Sequence, residues 1–374
     1  MKLVDRLFRF DKGLVSIQYL RAVAVILVLF YHCREQFEGF SAAIPVKVGA
    51  AGVDLFFVIS GFIMVVITNR NMGPGEFLAR RFLRIAPIYW FYTSLVAIGV
   101  IALPALFRDT RFTIGHYLQS LFFIPHPDPI DPDLSSTREF MKSMSPLVKI
   151  GWTLNYEMFF YVVFAGTLLL AQRYRAFLVA ALLTAFVLIG HFMRFDAPIL
   201  RFYASAIVLE FCAGAIIGHL YANTEWLKLM PRALSLALIV LGFAAMLLIP
   251  HESPRIIRFG IGAALIVFGA VAYESRGTVP QSKAFRLVGD ASYSIYLAHL
   301  YPIVALRILW ERFDLGTAGL GWAAIFAVIG IPLGILAGIV SYAVLERPMI
   351  DAAHRLMRRR PKAEALKPAG SGVR

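Results

Sequence analysis

Ser16-Ile-Gln-Tyr-Leu-Arg-Ala-Val-Ala-Val-Ile-Leu-Val-Leu-Phe-Tyr-His32 is apolar along most of its length, yet it carries Arg21 and His32 eleven residues apart. An α-helix returns to the same face after eleven residues, about three turns and about 16 Å of rise, so both ionisable groups point one way. A charged side chain near a bilayer centre costs about 2.5–3.5 kcal/mol even on insertion scales, which turns an intramembrane Arg and His toward a bundle interior or an aqueous cavity. In the competing reading, Arg21 snorkels to the headgroups and His32 sits at the far interface. Gln18 favours the first, because Gln18, Arg21, Val25 and His32 fall at i, i+3, i+7 and i+14 on one stripe.

The rest of the chain has the same solvent. Of 374 residues 59% are hydrophobic and 16% charged, with a mean hydropathy of +0.71, against about 25% charged in soluble domains. Apolar runs close to the length of about 20 residues that spans a bilayer fall at 15–33, 48–68, 83–103, 152–171, 176–193, 201–221, 231–249, 256–274, 292–310 and 319–345. They predict an all-α, polytopic membrane protein with about ten transmembrane helices. The ninth run is the weakest, since Gly289-Asp-Ala-Ser-Tyr-Ser-Ile-Tyr-Leu-Ala-His299 is polar for a membrane segment.

A net charge of +14 suits nucleic acid as a partner, but its placement argues against that. Lys and Arg gather before the first span (Lys2, Arg6, Arg9, Lys12), between the second and third (Arg70, Arg80, Arg81, Arg84), between the fourth and fifth (Arg173, Arg175), and after the tenth (Arg347, Arg355, Arg358, Arg359, Arg360, Lys362). With ten helices these segments share one side, and the positive-inside rule puts both termini in the cytoplasm. Residues 1–358 then form one transmembrane domain, and 359–374 a disordered cytoplasmic tail rich in Lys, Pro, Gly and Ser. Cys33 and Cys212 read as small apolar residues, and the N-terminal run as an uncleaved span.

Residues 104–150 form a long exterior connection containing His126-Pro-Asp-Pro-Ile-Asp-Pro-Asp133. Asp128, Asp131 and Asp133 with His126 have the chemistry of a metal or sugar site, and equally that of a solvated turn. The turn is the simpler reading, and no metal is expected.

Four further constellations carry chemistry. In Gly52-Val-Asp-Leu-Phe-Phe-Val-Ile-Ser-Gly-Phe-Ile63, Asp54 either orients His32 or caps its helix, and Ser60-Gly61 permits close helix approach. In Arg80-Arg-Phe-Leu-Arg-Ile-Ala-Pro-Ile-Tyr-Trp90, Arg80, Arg81 and Arg84 form a cytosol-facing guanidinium cluster suited to phosphate, or a topogenic charge. Gly151-Trp-Thr-Leu-Asn-Tyr-Glu-Met-Phe-Phe-Tyr161 puts Glu157 about a turn and a half inside an aromatic helix, at a depth expected to match His32. Ser292, Tyr293 and His299, with Glu346-Arg-Pro348, read as packing and anchoring elements.

Taken in order, Gln18-x-x-Arg21-Ala, His32, Gly52-Val-Asp-Leu-Phe-Phe-Val-Ile-Ser-Gly-Phe, Arg81-x-x-Arg84-Ile-x-Pro-x-Tyr, Trp152-x-Leu-x-x-Glu157-x-x-Phe-Tyr161, Tyr293-Ser-Ile-Tyr-Leu-x-His299 and Glu346-x-Pro348 resemble the acyltransferase-3 family of bacterial membrane O-acyltransferases. The opening looks most like the exopolysaccharide O-acetyltransferases that decorate succinoglycan-type polymers. The resemblance implies a multi-pass protein of the bacterial inner membrane that moves an acyl group, expected to be acetyl, from cytosolic acyl-CoA to a hydroxyl of a cell-surface carbohydrate or its lipid-linked precursor. It implies catalytic roles for Arg21, His32 and Glu157 and donor binding by Arg81 and Arg84. Asn155-Tyr156 departs from the small residue and acid that many members carry before the glutamate, so a second carboxylate is missing.

The expected chemistry is general-base attack through His32, oriented by Glu157 or Asp54, or transient acylation of His32 itself, with the oxyanion donor Arg21 or a hydroxyl such as Tyr161 or Ser292. Two other classes fit ten spans with buried charges: a transporter or flippase for a lipid-linked sugar, and a structural partner in a polysaccharide-export complex.

Overall fold

The computed structural model describes residues 14–37, 40–41, 48–68, 72–107, 110–130, 140–250, 252–316 and 319–358. The early lysines and arginines, Arg70, Asp131, Asp133 and the tail lie outside them. The regular secondary structure of the described residues is all helical, without strands. The principal helices are α1 Val15–Arg34, α2 Ala51–Ile67, α3 Pro74–Ala102, α4 Ile114–Leu121, α5 Trp152–Thr167, α6 Gln172–Met193, α7 Leu209–Asn223, α8 Arg232–Leu248, α9 Ile261–Ser275, α10 Lys283–Asp290, α11 Ser292–Ala298, α12 Leu300–Arg312, α13 Leu320–Ser341 and α14 Arg347–Arg358.

Eight helical segments among the described residues are long and apolar enough to cross a membrane. All ten apolar runs of the sequence are helical, but α5 and α8 have only 16 and 17 residues and fall short of that length. The weakest expected span does form: α11 and α12 join into one 21-residue segment, Ser292–Arg312. Its polar half survives in an apolar medium because Ser292, Ser294 and His299 are turned into the protein and fully buried. Large exposed apolar side chains lie instead along α3, α6, α8 and α13, including Ile98, Phe192, Val240 and Val328, the composition of a lipid-facing wall.

Gly61 and Gly214 allow α2 and α7 to pack backbone against backbone. A Cβ on Gly61 would strike the Phe211 carbonyl, and one on Gly214 the Val58 carbonyl, the small-residue contact that helices use in lipid. At its start α1 has no local side-chain cap. Glu274, at the end of α9, accepts from Val15 N at 2.9 Å, Ser16 N at 2.8 Å and Ser16 Oγ at 2.6 Å, satisfying amides that a helix start leaves open. Cys33 and Cys212 are free and buried.

Candidate active site

Arg21, Arg81, Arg84, Glu157, Tyr161 and Ser60 line one cavity of about 120 Å³ between α1, α2, α3, α5 and α11. Arg21 is buried, which removes the snorkelling alternative, and its Nη1 donates to Gln18 Oε1 at 3.0 Å, one turn back along α1. Arg84 acts on Arg21 with like charge, and Asp290 and Glu346 with opposite charge. Glu346 is itself buried and accepts from Ser294 Oγ at 2.5 Å. It closes a π-helical turn, Tyr342–Glu346, at the end of α13, so the Glu-x-Pro element faces the guanidinium end of the site as well as anchoring a helix.

Glu157 accepts from the Tyr161 hydroxyl and, at 3.3 Å, from Ser60 Oγ. Arg81 lies against both Tyr161 and Glu157. Glu157 therefore belongs with the arginines, and the expectation that it shares a depth with His32 is corrected. The reason lies in where α5 begins. Residues 143–148 and 150–151 are buried, and Thr153 Oγ1 is 3.0 Å from the Tyr296 hydroxyl, which donates to the Ile150 carbonyl at 2.9 Å. The helix thus starts deep in the bundle at the level of Tyr296, and Glu157 comes about 6 Å further along.

His32 does not line the cavity. Its ring stands against that of His299, with centroids 5.1 Å apart and planes at 39°. His299 is fully buried; Nδ1 is 2.7 Å from the Tyr296 carbonyl and 3.1 Å from that of Ile295. Tyr296 connects the two centres, lining the cavity and lying 6.1 Å, ring to ring, from His299.

Asp54 does not orient His32. It is fully buried and held by Arg255, whose Nη2 and Nε lie 2.6 and 3.0 Å from its two oxygens. Arg80 also leaves the expected cluster: it pairs with Glu76 at 2.6 Å on an exposed face, which separates it from the like charge of Arg84 one turn on. Trp152 packs edge-on against Tyr156 near the start of α5. Ser292 and Tyr293 line the cavity, Tyr293 with its hydroxyl donated to the Ile85 carbonyl at 2.8 Å. Sequence reasoning missed Arg255, which stands in none of the motifs singled out above. It also missed Tyr296, which lies inside a motif that was read as packing.

In the connection between α3 and α5, His126 Nε2 is 2.8 Å from His116 Nδ1, and both rings are buried. Burial, reinforced by the neighbouring His126, pushes His116 down to about 4, and burial also lowers His126. Asp128 accepts from Ile130 N at 2.9 Å, the bond of a tight turn. Among the described residues no three His, Cys, Asp or Glu side chains group as metal ligands.

A family profile described as an acyltransferase domain, of the acyltransferase-3 type, matches residues 14–341, and the chain belongs to that family. It is 39% identical over 311 residues to the exopolysaccharide production protein ExoZ of Rhizobium meliloti (strain 1021), covering 81% of this chain and 90% of that protein. It is 27% identical over 333 residues to the peptidoglycan O-acetyltransferase OatA of Listeria monocytogenes serovar 1/2a, covering 81% of this chain and 51% of the relative. It is 24% identical over 314 residues to the O-acetyltransferase OatA of Staphylococcus aureus (strain NCTC 8325 / PS 47), covering 76% and 49%. The chain thus spans about half the length of the two OatA proteins. No solved structure gives a significant match.

Proposed function

We propose that this acyltransferase moves an acetyl group from cytosolic acetyl-CoA to a hydroxyl of an exopolysaccharide or its lipid-linked precursor. One observation carries the reading: three guanidiniums, Arg21, Arg81 and Arg84, converge on a single cavity inside a membrane protein. Glu157 and Glu346 meet part of that charge, and a cavity lined by three permanent cations suits a further anion. The donor's phosphates and pyrophosphate supply one, and their forked contacts suit Arg. Glu157, held by Tyr161 and Ser60, steadies Arg81 at the mouth of that cavity rather than acting on the proton of the acceptor.

Tyr296, in the cavity lining, lies 6.1 Å ring to ring from His299, and in this reading the pantetheine arm runs past it to His32, about three helical turns from Arg21, a distance an extended arm covers. His32 takes the proton of the acceptor hydroxyl as its oxygen forms the new bond to the thioester carbon. The carbon–sulfur bond then breaks, and His32 returns the proton to the departing sulfur, giving the ester and free coenzyme A thiol. Arg21 serves the phosphate end and is too far along α1 to hold the oxyanion.

In the same reading the protein crosses the bacterial inner membrane ten times with both termini in the cytosol. α5 and α8 complete the count: α5 is short because its entrance is built from buried chain instead of lipid-exposed helix. Purified protein given acetyl-CoA and polysaccharide acceptor should release free thiol and yield acetylated polymer. A flippase or an export-complex scaffold consumes no thioester, so acetyl-CoA left intact in the presence of acceptor would refute the proposal.

A further inference from the structure

His299 is held at every atom but one. Its Nδ1 faces the carbonyl oxygens of Tyr296 and Ile295 at 2.7 and 3.1 Å. Carbonyl oxygens only accept, so Nδ1 carries the proton and Nε2 bears a bare lone pair. That Nε2 is buried and has no hydrogen-bond partner among the described residues. The side chain cannot swing away to find one. A Cβ on Gly334 of α13 would lie 3.3 Å from the His299 Cβ and against Leu29, so the histidine is packed between α13 and α1 at the break between α11 and α12.

The ring beside it is that of His32, at 5.1 Å between centroids. His32 is only half-buried, and its ring makes no hydrogen bond among the described residues. One histidine is therefore fixed in tautomer and position with an unused acceptor, and the other has two uncommitted nitrogens. Such contacts are often long in a ligand-free enzyme and tighten with substrate bound.

We propose that His299 is a positioning residue for His32: its Nε2 accepts the N–H of His32, fixing which His32 nitrogen keeps a lone pair for the acceptor hydroxyl. This rests on the reading of His32 as the base. His299 then does for His32 what a buried acceptor does for the histidine of a hydrolytic triad, selecting the tautomer and stabilising the imidazolium that forms. The proton count at His299 does not change through the cycle. The proton taken from the hydroxyl stays on His32 until it passes to the sulfur.

The test uses the full-length protein in detergent or nanodiscs with acetyl-CoA and polysaccharide acceptor. His299→Phe keeps an aromatic ring but has no acceptor. His299→Gln can donate its amide to the two carbonyls and offer its oxygen to His32. Replacing an orienting or proton-transferring group is worth about 10²–10⁴-fold, so His299→Phe should lower kcat by at least about 100-fold on that scale. KM for acetyl-CoA should stay unchanged, and His299→Gln should recover most of the loss. Equal loss in the two variants, or none in His299→Phe, overturns the proposal.

His32→Ala runs alongside. Activity retained there sinks the base assignment itself, whereas an inactive His32→Ala beside a fully active His299→Phe sinks only the role of His299. Should His299→Phe fail to fold, nitrogen NMR of histidine-labelled parent protein decides. An Nδ1–H tautomer at His299 supports the assignment, and an Nε2–H tautomer overturns it.

Discussion

Arg21 and His32 leave the same face of α1 but meet different neighbours. The guanidinium lines the cavity with Arg81, Arg84 and Glu157, and the imidazole stands beside the tilted ring of His299. About 16 Å of helix between them separates a site for fixed negative charge from a site for proton transfer. The coenzyme itself has that layout, with phosphates at one end and a thioester at the other.

His32→Ala should therefore remove acetyl transfer while leaving acetyl-CoA binding near that of the parent, because His32 is not part of the cavity lining. The expected loss is about 10²–10⁴-fold, the usual worth of a general base. Product formation measured beside donor binding separates the two effects. Undiminished acetylation would end the general-base assignment.

Asp54 and Arg255 make a stability prediction. The carboxylate is fully buried and the guanidinium about a third exposed. Arg255→Ala leaves an unpaired buried charge, which places the loss near the lower end of the roughly 3–5 kcal/mol typical of such truncations. Arg255→Lys keeps the charge without the fork and should lose less. Thermal unfolding in detergent reads both, and an unchanged midpoint in Arg255→Ala would mean the pair contributes nothing.

Topology gives a third. A reporter fused after Arg358 should read as cytoplasmic and one inserted near Pro129 as exterior. If both report one compartment, the number of crossings between them is even, and the ten-span arrangement fails.

The helical architecture is legible in the sequence because lipid leaves apolar runs little alternative to helix, and each of the ten runs is helical. Half of the site is legible for the same reason. Helical spacing alone puts Gln18 and Arg21 on one stripe and Arg81 with Arg84 one turn apart. The remainder depends on contacts that spacing does not encode. Asp54 finds Arg255 across 201 residues. His32 meets His299 only because the α11–α12 break and Gly334 bring that ring against α1. The depth of Glu157 depends on the chain before α5 being buried in the bundle at residues 143–148 and 150–151, which hydropathy cannot reveal.

The buried His116–His126 pair predicts a pH response in that connection. Both rings are pushed below the usual 6.5, His116 to about 4, by burial first and then by each other's nearness in the case of His116. The folded segment thus refuses protons that the unfolded chain binds between about pH 6.5 and pH 4. The stabilisation is complete above pH 6.5 and is lost as pH falls through that window. Proteolysis around residues 124–130 should rise on acidification, and less so in His116→Gln. A cleavage rate that stays flat from pH 7 to pH 4 would contradict the pair's neutral state.

The donor prediction turns on Arg84, which lines the cavity at its arginine end without a hydrogen-bond partner among the described residues. Arg84→Lys preserves the charge that would hold this segment in the cytosol but removes the planar fork that matches phosphate oxygens two at a time. It therefore separates a binding role from a topological one. Acetyl-CoA affinity should fall by about 1–3 kcal/mol in Arg84→Lys, the scale of hydrogen bonds to a charged group. Arg84→Ala should lose more, and the reporter orientations should stay as in the parent. Calorimetry on detergent-solubilised protein reads the affinity without requiring the acceptor. If both variants bind acetyl-CoA as the parent does, the cluster has a topological role only, and the coenzyme's phosphates must be held elsewhere.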